Sequence, residues 1–329
     1  MGDLPARKNK ILIDGWYFNE LCLDDLPLYN EYMKNTPYST DVFSWNFAFA
    51  WTEGQSSNRQ ILWKIVDDML VTFALRNNSV LYLWALPFGK GDIDQVIEVL
   101  NKCIRFCLNH NNGSITNTLV RIVNKPQLDF LKASESFNQN YSYMPIIGRE
   151  IILNLQNMLD LRGKKMRNVR NKVNKFRREY PHAIIRSYKV DDYNGLMELQ
   201  QYWTETSGKK YREVFDLQSY KELIKNHEKL DHLILVAEVG NELVGMVTGG
   251  VTPQGEGWSY FLKTKKDLKG LSETMLVKLA HKFRQLNPNI QFLNVGSDMG
   301  PKGLREFKQK FDPPYSWRRY RIRPNRNFV

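Results

Sequence analysis

The sequence predicts an α/β protein built from two similar units in tandem, on three observations. Its 329 residues, 42% hydrophobic and 12% aromatic, are enough for roughly two domains with sizeable cores. Strand-like apolar runs and helix-like stretches follow one another in a recognisable order. That order occurs twice, at an offset of 172 to 179 residues. The Trp, Tyr and Phe content excludes a disordered chain, and 20 Gly with 13 Pro exclude a collagen-like one.

Each half opens on a strand, an Asp-Asp pair and helices, the pairs being Asp24-Asp25 and Asp191-Asp192, 167 residues apart. In the first half, ILWKIV from Ile61 reads as a strand that turns at Asp67-Asp68 and returns. VLYLWAL from Val80 is the next strand. A glycine loop at Gly89 and Gly91, an apolar helix, a strand near Leu119 and a helix from Gln127 follow. In the second half, LILVAEV from Leu233 turns at Gly240-Asn241 into GMVTGGV, and GWSYFL from Gly257 comes next. A loop at Gly270 then leads to an apolar helix, a strand near Phe292 and a helix near Leu304. A period this long is duplicated domain topology and not a short-repeat solenoid. Strand, two helices, a three-strand meander, loop, helix, strand and helix is the order of a GNAT acyltransferase unit. Two such units are expected, each a mixed, mostly antiparallel sheet flanked by helices. The N-terminal unit is placed over residues 1–150 and the C-terminal one over 151–329, with the boundary near 148 to 165.

Lys+Arg 47 against Asp+Glu 35 give a net charge of +12, and the excess sits in two places. Arg162 to Arg178 holds nine Lys/Arg and no acid; Lys302 to Arg326 holds nine more against Glu306 and Asp312. The rest of the chain is slightly acidic. Within residues 160–180, Met166, Val169, Val173 and Phe176 recur at steps of three and four, the apolar stripe of an amphipathic helix whose other faces are cationic. A solvated surface explains an ordinary charge run, but two uncompensated clusters in one chain also fit a face for a polyanion. Lys164, Lys165, Arg167, Arg170 and Lys175 are the candidate contacts.

The three cysteines do not suggest chemistry. Cys103 and Cys107 share a helical face with Val96, Val99, Leu100 and Ile104, and Cys22 stands alone, so all three read as small buried hydrophobes. The opening MGDLPARKNK is followed by no apolar h-region, and the strongest runs fall far short of the ~18 residues a membrane-spanning helix requires. A cytoplasmic protein without a transmembrane segment is expected. There is no HExxH, GxSxG, GKS/T or zinc-like Cys/His spacing, so no metal is expected.

Coenzyme A enzymes of the GNAT type cradle pyrophosphate on a Q/R-x-x-G-x-G/A loop at a helix N-terminus. Here the second-half loop is Asp267-Leu268-Lys269-Gly270-Leu271-Ser272, with an acid in first position, and the first-half loop is Phe88-Gly89-Lys90-Gly91-Asp92. Neither fits well, and no cofactor is expected. The stretch from Leu293 to Tyr320 is denser in chemistry. Asp298 falls at the C-terminal end of a strand, Gly300, Pro301 and Gly303 make a turn, and Arg305 and Lys308 follow three apart on a helix. An acid facing two cations at a strand mouth suits a zwitterion or a carbonyl under attack; a helix cap with solvated basic residues is the plainer explanation.

This stretch resembles the C-terminal catalytic domain of phosphatidylglycerol lysyltransferases and the soluble proteins grouped with it. Gly303, Leu304, Arg305, Phe307, Lys308, Lys310, Phe311, Pro313 and the closing Arg319-Tyr320 match the lysyltransferases. Asn294, Asp298, Gly300, Gly303-Leu304-Arg305, Lys308 and Pro313 match the soluble relatives, which carry acids where Gly296 and Ser297 stand here. The front end is similar too, in Asp25-Leu26-Pro27, Ser39-Thr40, Phe43, Trp45 and Asn46, and again in Leu161-Arg162-Gly163-Lys164-Lys165, Arg170-Asn171 and Asn174.

The resemblance implies a tandem GNAT fold that takes an aminoacyl group from aminoacyl-tRNA instead of acetyl from coenzyme A, with the basic segments serving the polyanionic donor. The implied acceptor is a phosphatidylglycerol-like lipid, a peptide or a small molecule, with peripheral contact to an anionic membrane. On this reading Lys308 stabilises the developing oxyanion, Arg305 holds a phosphate, and Asp298 pairs with the α-ammonium or accepts the nucleophile's proton. Asn294, Arg319 and Tyr320 belong to the substrate contacts, and Trp258 and Tyr260 line the aminoacyl pocket unless their alternation is plain packing. Two alternatives stand beside it: an acyl-coenzyme A N-acyltransferase using the loop at Lys269 to Ser272, and a non-catalytic tRNA- or polyanion-binding relative.

Overall fold

The structure, a computed structural model, describes residues 10–56, 58–206, 208, 217–326 and 328. The chain divides into two compact units, Met1–Ile146 with Arg318–Val329, and Ile147–Trp317. Unit 1 runs β1 (Lys10–Ile13), β2 (Trp16–Glu20), α1 (Leu26–Lys34), α2 (Phe47–Gly54), β3 (Arg59–Val66), β4 (Met69–Arg76), β5 (Leu81–Leu83), α3 (Ile93–His110), β6 (Val120–Asn124), α4 (Lys125–Lys132), α5 (Glu135–Asn140) and the start of β7 (Tyr141–Asn154). From the remainder of β7, unit 2 runs α6 (Leu155–Asp160), α7 (Arg167–Glu179), β8 (Ile184–Ser187), α8 (Tyr193–Thr206), α9 (Leu217–Asn226), β9 (Leu233–Val239), β10 (Glu242–Val251), β11 (Gly257–Thr264), α10 (Leu271–Leu286), β12 (Phe292–Ser297), α11 (Lys302–Gln309) and the start of β13 (Tyr315–Pro324).

The duplicated order is visible in the pairing. Strands β3 and β4 pair antiparallel from Arg59 opposite Arg76 to Val66 opposite Met69. Asp67 and Asp68 close that hairpin with φ of 46° and 61°. Gly240 and Asn241, at 59° and 64°, close β9 and β10 in the same way. Both are two-residue turns with positive φ at each central position, whose twist matches that of the strands they join. Each unit then makes a short parallel contact: Leu83 on β5 opposite Val120 on β6, and Gly257 and Trp258 on β11 opposite Leu293 and Asn294 on β12. In unit 1, Trp84 and Arg121 follow directly on that pair.

Strand β5 ends at Leu83, short of the VLYLWAL run. Trp84, Ala85 and Leu86 are fully buried outside regular strand, and a continuous apolar run does not reveal where pairing stops. In the last strand Arg319 pairs with Asn124 and Tyr320 with Val123 of β6, and both residues belong to unit 1. In unit 2, β7 pairs antiparallel with β12 from Asn154 opposite Phe292 to Glu150 opposite Ser297.

Helix α3 starts at a capping box, where Asp92 Oδ1 accepts from the Gln95 backbone N–H at 3.0 Å and Gln95 Oε1 accepts from the Asp92 N–H at 3.1 Å. Its apolar stripe buries Cys103 and Cys107 completely, and burial pushes both thiols up. The basic segment is not one helix. Leu161 and Gly163, with φ of 49° and 78°, break it between α6 and α7, so Lys164 and Lys165 sit on a turn. From there Val169, Val173 and Phe176 of α7 enter the unit 2 core with Leu268, Leu271 and Met275.

Candidate functional site

The C-terminal end of β12 and the first turns of α11 bring together four of the residues singled out by sequence. Asp298 is 1% exposed, and its carboxylate is fully engaged. Oδ1 accepts the backbone N–H groups of Arg149 at 3.0 Å and Gly300 at 3.2 Å, and Oδ2 accepts Arg305 Nε at 3.1 Å. Arg305 also donates through Nη2 to the Gly300 carbonyl at 3.3 Å, and its side chain stays 55% exposed. Lys308, three residues on, turns inward and is 8% exposed. Its ammonium donates to three successive carbonyls at the end of β12: Val295, Gly296 at 3.1 Å and Ser297 at 2.8 Å. An ammonium has three hydrogens, so that set of bonds accounts for its donor capacity.

Asn294 completes the wall. Its amide donates to buried Glu150 at 2.8 Å and accepts the Gly296 N–H at 2.8 Å. Glu150 reaches the site because β7 bends at Gly148 (φ 85°), where any Cβ would strike the Ser297 hydroxyl and the Met299 backbone. Sequence reasoning missed Glu150. The one available signal was an acid immediately before the apolar run Ile151–Leu153, a pattern that ordinarily marks a solvated strand end.

Trp258, beside Asn294 across the parallel pair, is 3% exposed and Tyr260 is half-buried. A bulge in β11 re-aims the strand at Tyr260 and Phe261, whose rings stack at 4.1 Å, and the Phe261 N–H turns to the Thr248 hydroxyl at 3.0 Å. Against Trp258, with ring centres 5.0 Å apart, lies His232, a residue that sequence did not flag. It is 4% exposed, and its Nε2 meets no hydrogen-bond partner.

Burial, with the nearby charge of His227 second, holds the His232 imidazole down at about 3. An unfolded histidine titrates near ~6.5, so as pH falls below that value the unfolded state takes up a proton that the folded state refuses. Stability therefore declines by up to about 1.4 kcal/mol per pH unit between about 6.5 and about 3. Urea midpoints taken from about pH 7 to about pH 4 should fall more steeply for the wild type than for His232→Asn. Parallel profiles would contradict a buried neutral imidazole.

The other predicted contacts lie elsewhere. Arg319 and Tyr320 are in unit 1, where Tyr320 packs against Tyr143 with ring centres 5.8 Å apart. Among the basic residues, Arg170 donates to the Leu161 carbonyl at 2.5 Å and the Gly163 carbonyl at 3.3 Å, so it holds the turn before α7. Lys165 pairs with Asp312 at 3.1 Å and Lys175 with Glu179 at 3.5 Å, while Lys164 and Arg167 are exposed.

The loop at Gly270 is seated on α7. Gly270 adopts φ 93°, and a Cβ there would collide with the Lys172 carbonyl of α7 and crowd Phe176. Leu268 and Leu271 are buried in the same core.

The family described as "Phosphatidylglycerol lysyltransferase, C-terminal" matches residues 43–323, a stretch that contains the whole β12–α11 site. The chain belongs to this family. Among solved structures, this lysyltransferase-family chain is similar to a conserved protein of unknown function from Bacteroides thetaiotaomicron VPI-5482, at 18% identity and a TM-score of 0.80 over 94% of this chain and 99% of that one. It is similar also to L-PGS from Bacillus licheniformis, at 16% identity and a TM-score of 0.64 over 94% and 93% of the two chains. A tandem GNAT protein from the clavulanic acid biosynthesis pathway matches at 8% identity and a TM-score of 0.51 over 93% and 98%. At these identities the likenesses establish the fold, which is a tandem GNAT. No protein of curated function matches. Among the described residues, no helix of this lysyltransferase-family chain is long and apolar enough to cross a membrane, and no group of three His, Cys, Asp or Glu side chains could hold a metal ion.

Proposed function

We propose that the chain is an aminoacyl-tRNA-dependent aminoacyltransferase that works at the β12–α11 site of unit 2 and delivers an amino acid to a phosphatidylglycerol-like lipid, a peptide or a small molecule. The observation that supports it most is that the family match spans every residue of that site. In the reaction, a lone pair on the acceptor oxygen or nitrogen attacks the aminoacyl ester carbonyl. The bond to the ribose oxygen breaks, and the acceptor's proton ends on that leaving oxygen.

On this reading the roles differ from those the sequence suggested. Arg305 is the exposed cation and holds a phosphate of the donor or acceptor. Asp298 spends its carboxylate on two N–H groups and Arg305, so it positions Arg305 instead of meeting the α-ammonium. Lys308 holds the three β12 carbonyls that shape the strand mouth, and so acts as a positioning residue and not as an oxyanion donor. Tyr260 lines the aminoacyl pocket with Trp258 packed behind it, and Lys164 and Arg167 are the basic residues best placed for tRNA phosphates.

Arg305→Ala leaves buried Asp298 its two backbone N–H donors but no cation, so it should fold with a lowered urea midpoint and weaken donor binding by roughly tenfold to a hundredfold, the loss of a charge-assisted hydrogen bond. In calorimetry, acetyl-coenzyme A should give no binding heat. Saturable heat with acetyl-coenzyme A would favour the acyl-coenzyme A alternative, and unchanged donor affinity in Arg305→Ala would remove Arg305 from the site.

A further inference from the structure

Unit 1 holds a cationic cluster just past its short parallel pair of Leu83 with Val120, around Trp84 and Arg121. The Arg121 guanidinium stacks on the Trp84 ring at 4.1 Å from its centre and lies 5.8 Å from the Phe49 ring. Stacking fixes the guanidinium plane and leaves its N–H edges for a ligand. Arg121 Nη1 is buried and meets no hydrogen-bond partner, and the same holds for Nε of Arg59, which lies over the same Trp84 ring at 5.9 Å.

The surroundings of Trp84 show further unmet hydrogen-bonding capacity. Its backbone N–H donates to the Thr72 carbonyl and its indole to the Ser44 carbonyl, each at 2.9 Å, while the buried hydroxyls of Thr72 and Ser44 have no partner. The titratable groups acting on Arg121 are Tyr82 and Glu53, which favour its charge, and Arg59 and Arg319, which oppose it. Burial is the larger influence, and together they bring Arg121 down to about 10. Glu53 is itself engaged by Arg59 at 3.4 Å. Folded proteins seldom bury a guanidinium without an acceptor, because the desolvation is costly. Arg59 also lines an open cleft of about 500 Å³ together with Glu20, Arg76, Asn77 and Ser79.

We propose that the Arg59–Trp84–Arg121 cluster of unit 1 is a binding site for a phosphate group, carried by a small phosphomonoester or by a lipid headgroup. Phosphate suits it better than carboxylate. A tetrahedral anion with several acceptor oxygens can take N–H groups from two guanidiniums that are not coplanar, and a phosphomonoester dianion matches more than one positive charge. The site is built wholly from unit 1 residues, so it stands or falls independently of the function proposed for unit 2.

The test is thermal unfolding and calorimetry of the full chain with inorganic phosphate, sn-glycerol 3-phosphate and acetate at matched ionic strength, and flotation with phosphatidylglycerol or phosphatidylcholine vesicles. Wild type should be stabilised by a phosphate probe and not by acetate. Arg121→Met and Arg59→Gln should each lower phosphate affinity by roughly tenfold or more. Arg121→Met should also raise the unfolding temperature of the ligand-free protein, since it removes a half-buried guanidinium whose Nη1 has no partner. If Arg121→Met does not fold, Arg59→Gln decides alone. Protection by the soluble phosphates supports a phosphomonoester ligand. Flotation with phosphatidylglycerol alone, abolished by the same variants, supports a headgroup. No response to any phosphate probe, equal protection by acetate, or a response unchanged in the variants overturns the proposal.

Discussion

Lys308→Ala is expected to destabilise the protein by roughly 3 to 5 kcal/mol, the largest effect of any single side-chain truncation at the site. The buried ammonium collects the carbonyls of Val295, Gly296 and Ser297, where β12 stops pairing and the chain turns towards α11. Removing it leaves three acceptors without their shared donor, next to Asn294 and Glu150. Each charge-assisted bond contributes about 1.5 to 3 kcal/mol when broken alone, and three bonds to one ammonium are not additive. The measurement is the urea midpoint with the denaturant slope held as a check on two-state behaviour. A variant as stable as wild type but inactive in transfer would return Lys308 to direct contact with the reacting carbonyl.

Gly270→Ala is expected to cost about 3 kcal/mol or more, from two sources that act together. An L residue at φ 93° is strained, and the new methyl would meet the Lys172 carbonyl of α7, a backbone atom that cannot rotate away. Helix α7 would have to lift from Leu268 and Leu271, exposing Val169, Val173 and Phe176. An unchanged unfolding midpoint would mean that α7 is not seated on this loop.

The fold was legible because its signals are local and occur twice. Asp67-Asp68 and Gly240-Asn241 announce their hairpins, and Asp92 with Gln95 announces α3. The pairing of Asp298 with Arg305 was within reach for the same reason, since they lie seven positions apart across a turn and the start of a helix. Glu150 was not, because its contact with Asn294 depends on the register of β7 against β12, which no periodicity records. His232 and Arg121 were missed on similar grounds. A lone histidine after a helix and a lone arginine in an apolar strand look solvated until the packing around Trp258 and Trp84 is known. The basic segment misled in one respect: counting charge treats Arg170 as a free cation, whereas it spends its guanidinium on two turn carbonyls.

Transfer of label is the measurement closest to the central claim. The full chain is incubated with a mixed pool of tRNAs carrying radiolabelled amino acids and with cell extract, and lipid is then separated from aqueous products. The account predicts label leaving tRNA for one acceptor fraction at a rate that falls at least tenfold in Arg305→Ala and is indifferent to acetyl-coenzyme A. Label in neither fraction above the no-protein control, with wild-type protein shown to be folded, would contradict it.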